Sequence, residues 1–254
     1  YEHKSEELVL NRFFQNIKGN YFLDVGGSFG RLLPTYYRKF NNCIVLDYSL
    51  KTLQRNSDSL TKQFPNLTLI AGNAYNLPFK ENIFDCALMV RVLHHLAKPQ
   101  EYFAEISKVL IPSGIYIQEY ANKYHLKAVI RALINMDSTF FNGKPYQQPD
   151  RENNEGARKN ASVPFYNYPN SWILRKTKDV NFHLLEKSGC SFFRVRVLKK
   201  IFNTDLLLFF EKIFQYLLSW SNLSPSIFLK FKRNGKQLKQ KIYSLEEILA
   251  CPKC

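Results

Sequence analysis

The chain has 254 residues, 45% of them apolar, with 21 Phe and 15 Tyr, which suffices for one large domain or one domain with a small appendage. Its formal net charge of +15 suits nucleic acid, an anionic membrane surface or acidic substrates. Five scattered cysteines show no disulfide framework, no signal peptide precedes the first helix, and no uncharged stretch is long enough to span a bilayer, so a reducing, cytoplasmic setting without a transmembrane segment is expected.

The chain begins at Tyr1 and stops at Cys254 inside a motif, so it reads as a fragment. Its positive charge is uneven. Residues 171–254 hold 16 Lys and Arg against 6 Asp and Glu, and KFKRNGKQLKQK (230–241) has six cations and no acid. A solvated tail is the simpler reading of that stretch, and an anion-binding patch the sharper one.

Leu10, Phe13, Phe14 and Ile17 follow helical spacing, so 5–18 reads as an amphipathic helix that Ser5 can cap and Gly19 can end. Strand and helix then alternate. Strands are expected at 21–25, 43–47, 67–71, 84–90 and 115–119. Helices are expected at 29–40 and 50–64, and from Pro99 through Leu110, with IPSG (111–114) as a turn. This alternation predicts an α/β fold with a mostly parallel sheet. Residues 121–170 break the rhythm with a short helix (125–136) and a long polar segment, the pattern of a lid or insertion. A helix at 177–188 ended by Gly189, a strand at 191–198 and a last strand at 226–232 follow. Between those strands, 201–220 reads as an inserted apolar helix; Asp205, Glu211 and Lys212 argue against a membrane span. Such a helix packs into a core, lines a pocket for a hydrophobic acceptor, or rests on a membrane surface.

The stretch LDVGGSFGRL (23–32) carries the most chemistry. Asp24 stands at the carboxyl end of the first strand, where open α/β sheets bind ligands. A carboxylate there repels a pyrophosphate but suits an ammonium or sulfonium group. Gly26 and Gly27 allow close backbone approach and positive φ, and Gly30 lets the next helix pack near the strand. Asp47 ends the second strand, 21 residues after Gly26, a spacing at which an acid hydrogen-bonds ribose hydroxyls. GNAYNLPF (72–79) follows the third strand and can cover an adenine edge. Either acid alone is more simply a turn or cap acid; the ordered combination is more specific.

The order LDVGGSFGRL, VLDYS, AGNAYNLPFKENIFDCALMVRVLHHL, EISKVLIPSG resembles the class I S-adenosylmethionine-dependent methyltransferases, in particular the group that includes the quinone-biosynthesis C-methyltransferases. The resemblance covers roughly residues 8–120. It implies a Rossmann-like seven-stranded, mostly parallel sheet with an antiparallel last strand, helices on both faces, and S-adenosylmethionine as cofactor. By that resemblance Asp24, Gly26 and Gly30, with Gly27 and Ser28, hold the methionine end. Asp47 with Tyr48 takes the ribose and Asn73 with Ala74 the adenine; for Arg91 a surface arginine is the simpler reading, and a partner for the methionine carboxylate or an anionic substrate the sharper. The sequence departs from the family twice: Ser28 replaces the middle glycine, and Asn73 replaces a common acid. His94 and His95 follow the fourth strand, where the family faces its substrate. Structural histidines are the simpler reading, and a base for one of them the sharper.

At the end of the chain, EEILACPKC resembles the opening of the small zinc ribbons that activate methyltransferases. Cys251 and Cys254 are two of the four ligands such a site needs, so zinc is expected only in a longer parent protein. The expected organisation is a methyltransferase domain at 1–235 and a linker with the start of a ribbon at 236–254. The expected function is methyl transfer to a small-molecule or lipid-like acceptor. An RNA or translation-factor methyltransferase is one alternative, disfavoured by the lack of an NPPY-like tetrapeptide after the fourth strand. A non-catalytic scaffold domain that kept the fold is the other.

Overall fold

The computed structural model describes residues 1–149, 164–236 and 243–250. Cys251, Cys254 and part of the expected lid and linker therefore lie outside the described residues.

The chain opens with α1 (Glu2–Phe13) and β1 (Gly19–Val25), followed by the short α2 (Leu33–Tyr36) and a 3-10 turn at Tyr37–Lys39. Then come β2 (Phe40–Asp47), α3 (Leu50–Gln63), β3 (Leu67–Ala71), β4 (Phe84–Met89), a 3-10 turn at Leu93–His95, α4 (Pro99–Val109) and β5 (Leu110–Ala121). Helix α5 (Leu126–Ile134) and the two-residue strands β6 (Tyr146–Gln147) and β7 (Tyr166–Asn167) occupy the expected insertion. The chain continues with α6 (Asn170–Lys178), β8 (Phe182–Cys190), α7 (Arg196–Ile201), α8 (Thr204–Leu217), β9 (Ser226–Arg233) and α9 (Leu245–Ile248).

Seven strands form one sheet in the order β3-β2-β1-β4-β5-β9-β8. The first five run parallel, and β9 is antiparallel to both of its neighbours. The central strands are buried on both faces, which is why their sequences read as unbroken apolar runs. One core half joins α1, α2 and α3 to the sheet through residues such as Phe13, Tyr36 and Leu60. The other joins α4, α6 and α9 through Phe103, Ile106, Ile173 and Ile248. Cys43 and Cys86 are buried in strands as small hydrophobes, and burial pushes the Cys43 thiol up to about 12.

Several expected elements are corrected. Ser5 does not cap α1; it lies inside the helix, buried, and donates to Glu211 Oε1 at 2.7 Å. The helix expected at 29–40 shrinks to a single turn, because Gly30 at φ 73° and the turn around it occupy its first residues. IPSG is absorbed into β5, where Ser113 at φ 68° marks an irregularity instead of a strand break. Residues 177–188 are mostly strand: the helix ends at Lys178, and Gly189 pairs with Ile227 inside the sheet. The strand expected at 191–198 does not form: 191–195 are turn and irregular, and α7 begins at Arg196.

Candidate cofactor site

The strand order reverses between β1 and β4, so their carboxyl ends splay apart and leave a crevice. The glycine turn after β1 fills its floor. Gly26 at φ 77° donates to the Leu46 carbonyl at 2.7 Å, and a Cβ there would fall 2.2 Å from Val92 Cγ2. Only glycine fits. A Cβ on Gly27 would lie 2.8 Å from Asp24 Oδ2, so this glycine lets the turn close over the carboxylate. Ser28 adopts φ 50°, a left-handed conformation that a serine takes at a cost.

Two adjoining cavities share Gly26 and Val92. The first, of about 160 Å³, is lined by Asp24, Gly27, Ser28, Arg31 and Arg91. The second, of about 310 Å³, is lined by Asp47, Tyr48, Asn73, Ala74, Tyr75 and Leu96. Of the predicted cofactor residues, all but Gly30 line this crevice, divided between two chambers of different character; Gly30 packs instead against Leu33 and Leu60, and His94 and His95 line neither chamber.

The first chamber is charged. Asp24 is 2% exposed and accepts from the Tyr36 hydroxyl at 2.7 Å. Burial raises its carboxyl to about 6, against the lowering effects of Tyr36 and Arg31. Glu6 on α1 contacts Arg31 Nη1 and Arg91 Nε, each at 2.5 Å. Arg91 itself sits at φ 60°, its backbone N–H donating to the buried Glu119 carboxylate at 2.8 Å. Arg91 is therefore anchored at both ends; Glu6 takes one nitrogen of Arg91, the guanidinium expected to meet a ligand carboxylate, and one nitrogen of Arg31.

The second chamber is a slot with one acid. Asp47 Oδ2 accepts from Ser28 N–H at 3.0 Å and Oδ1 from Ser49 N–H at 2.9 Å, so the same carboxylate pins the glycine turn and opens the next helix. A carboxylate has about four lone-pair sites, which leaves two for ribose hydroxyls. Asn73 Oδ1 accepts from Tyr75 N–H at 3.0 Å, so this oxygen shapes its own loop as well as facing the slot.

The two histidines differ. His94 is buried, stacks on Phe165 with ring centroids 4.3 Å apart, and leaves Nδ1 without a hydrogen-bond partner. Burial first, then His95 and Arg91, lower it to about 3, so its imidazole is neutral at pH 7. His95 is exposed on the same 3-10 turn, with Nδ1 3.1 Å from the Pro164 carbonyl.

Sequence reasoning missed Glu6, Tyr36 and Arg31. Glu6 had a signal: it falls on the same helical stripe as Val9, Leu10 and Phe13, where an acid demands a partner. Arg31 directly follows Gly30. Tyr36 read as an ordinary core aromatic.

At the other end of the chain, the described residues 243–250 rest on the loop before β4. Leu249 bridges to Phe79, Lys80 N–H donates to the Ile248 carbonyl at 2.9 Å, and Ile248 is 1% exposed. Among the described residues, no group of three or more His, Cys, Asp or Glu could hold a metal ion. No helix among them is long and apolar enough to cross a membrane.

Residues 23–118 match the methyltransferase domain family. An uncharacterized protein of Methanocaldococcus jannaschii is 31% identical over 137 residues, 53% of this chain and 51% of its own length. A demethylmenaquinone methyltransferase of Renibacterium salmoninarum is 28% identical over 107 residues, 42% of this chain and 44% of its own. The chain thus spans about half the length of the curated relatives it matches. A chain from a complex between the Haloferax volcanii Trm112 methyltransferase activator and a candidate methyltransferase superposes with a TM-score of 0.61 at 14% identity, over 94% of this chain and 92% of that one. An S-adenosylmethionine-dependent methyltransferase from Mesorhizobium loti gives 0.59 at 16% identity, over 90% and 98%. Residues 23–118 thus match a methyltransferase domain, and the sheet order with the glycine turn beneath its switch point gives the chain the Rossmann-like fold of these solved methyltransferases.

Proposed function

We propose that the chain is an S-adenosylmethionine-dependent methyltransferase acting on a small-molecule or lipid-like acceptor. The observation that carries this reading is the division of one crevice into a chamber with a buried acid and two arginines and a slot with a single acid. The first suits an α-amino acid: Asp24 for the ammonium, Arg31 and Arg91 for the carboxylate. The second suits a nucleoside, with Asp47 on the ribose and Ala74, Tyr75 and Leu96 around the base. The Gly27 cradle over Asp24 fits the same ligand, because a side chain there would close the chamber. A dinucleotide fits poorly, since a buried carboxylate meets its pyrophosphate.

When bound, S-adenosylmethionine supplies a methyl group already activated on sulfur. The chain's work is then alignment and exclusion of water. The 3-10 turn at Leu93–His95 and the Phe165 ring above it border the place where an acceptor would sit. If the acceptor must lose a proton, His95 is the better base of the pair. When its Nδ1–H donates to the Pro164 carbonyl, Nε2 remains free to accept.

The RNA alternative draws less support. Of the six cations at 230–241, Lys230 donates to the Phe13 carbonyl and Arg233 to Asn82, so two are spent inside the fold. The test is a thermal shift with S-adenosylmethionine and S-adenosylhomocysteine, with NAD and Asp24→Ala as controls. At 100 times the dissociation constant, binding adds about 2.7 kcal/mol, a rise of roughly 5–10 °C. A rise lost in Asp24→Ala and absent with NAD supports the reading. No rise, or an equal rise with NAD, overturns it.

A further inference from the structure

Helix α8 is inside out. Its buried positions are Leu207, Glu211 and Gln215, two of them polar. Glu211 accepts from the backbone N–H groups of Ser191 and Phe192 and from the Ser5 hydroxyl, and Gln215 donates to the Ser5 carbonyl. Leu207 packs inward and Phe214 lies against Phe192 and Phe193, but Phe209 is 60% exposed, Tyr216 78% and Trp220, just past the helix, 77%. The inward polar contacts fix the rotation of the helix, so the outward apolar stripe is a built feature.

The stripe has neighbours of the same kind. On α7, Val197 and Ile201 are exposed. On α5, Ile130, Leu133 and Ile134 are exposed, and Leu126 N–H donates to the Leu223 carbonyl, which joins α5 to the end of the α8 segment. Cations are interleaved with them: Arg196 and Lys200 on α7, Lys212 between Phe209 and Tyr216 on α8, Lys127 and Arg131 on α5, all exposed. So many exposed large apolar side chains on these neighbouring segments, interleaved with cations, are unusual for a surface that meets only water. It has the composition of an interfacial helix whose apolar side enters a bilayer while its cations meet lipid phosphates.

We propose that the α5–α7–α8 face docks on an anionic membrane surface. Charge complementarity selects this occupant: the only acid on the outward side of α7 and α8 is Asp205, against Arg196, Lys200 and Lys212. The face also adjoins the turn that carries His94 and His95: just before α5, Lys123 N–H donates to the Tyr168 carbonyl at 3.0 Å, and the Tyr168 hydroxyl donates to the Leu93 and Leu96 carbonyls at 3.4 and 3.2 Å. Docking would hold that turn at the membrane, where a lipid-like acceptor resides. The docking itself rests on the surface and not on the cofactor reading.

The test is co-sedimentation of the full chain with vesicles of phosphatidylcholine alone or mixed with phosphatidylglycerol. The expected result is binding to the anionic vesicles only, weakened by raising salt. Phe209→Ser with Trp220→Ser should abolish it. Arg196→Glu with Lys200→Glu and Lys212→Glu should weaken it on the order of a hundredfold. The ligand-free melting temperature of each variant should match the parent's, which shows that the fold is intact and keeps this test separate from that of the activity. Absence of sedimentation with anionic vesicles, or equal sedimentation with neutral ones, overturns the proposal. A concentration-dependent dimer that Phe209→Ser with Trp220→Ser dissolves, without vesicle binding, assigns the face to a second copy and overturns it too.

Discussion

The Tyr36 hydroxyl donates to Asp24 Oδ2 across 2.7 Å inside the core, and this bond, together with the charge of Arg31, opposes the burial that pushes Asp24 up to about 6. A carboxylate titrating there gates the binding of a cation. Cofactor affinity should be flat above about pH 7 and fall by up to tenfold per unit below pH 6. Tyr36→Phe removes the bond that favours the charged form, so the fall should begin nearer neutrality. Asp24→Asn should bind weakly with no pH dependence in this range. Calorimetric titration of S-adenosylhomocysteine from pH 5 to 8 checks all three.

Asp47 ties two backbone N–H groups, from Ser28 and Ser49, to the edge of the slot proposed for the nucleoside. Hydrogen bonds to a charged group contribute about 1.5–3 kcal/mol, so Asp47→Asn should weaken cofactor binding roughly ten- to a hundredfold. Asp47→Ala should in addition lower the melting temperature without ligand, because both N–H groups lose their acceptor. Equal melting temperatures for Asp47→Ala and the parent protein would show that the turn does not depend on this tie.

The strands and the glycine turn were legible because their signals are local. Apolar runs that end in Asp24 and Asp47 need no knowledge of the rest of the chain. The second half was harder for a physical reason. Residues 182–190 lack the alternating burial of a half-buried strand: His183, Leu184 and Leu185 are exposed in a row, Glu186 and Lys187 are half-buried, and their Leu and Lys content reads as helix; pairing with β9 overrides that propensity. The Glu6–Arg31–Arg91 cluster was illegible for another reason. Its members are 25 and 85 positions apart from Glu6, and only the packing of α1 over the turn joins them. Likewise the spacing of the apolar residues along α8 shows a stripe, but not which way it faces.

Ser28 holds φ 50° where the family's glycine would pay nothing. A left-handed residue costs about 1–2 kcal/mol, and glycine gives back about 0.5–1 kcal/mol through the entropy of the unfolded chain. Ser28→Gly should therefore stabilise the protein by about 0.5–1 kcal/mol, read as a higher denaturation midpoint at unchanged slope. The backbone N–H to Asp47 is retained, so cofactor affinity should hold or improve. A lower midpoint would show that the serine side chain makes a compensating contact.

His94 is buried, stacked on Phe165 and lowered to about 3, whereas an unfolded histidine titrates near 6.5. Between those values the unfolded chain binds the proton and the folded one does not, so this group withdraws stability as pH falls from 6.5 towards 3. Asp24 acts in the opposite sense, since its carboxyl is raised: the folded state keeps its proton between about 3.8 and 6, and stability from this group falls as pH rises through that window. The two partly cancel in the parent protein, and single variants should separate them. His94→Phe, which keeps a ring against Phe165 and removes the unpartnered Nδ1, should flatten the acid limb and raise stability at pH 7 by about 1 kcal/mol. Asp24→Asn should steepen the same limb. Urea midpoints from pH 4 to 7 give both slopes. A His94→Phe limb as steep as the parent's would place the acid sensitivity in other groups. Loss of turnover in that variant with cofactor binding intact would move the base from His95 to His94.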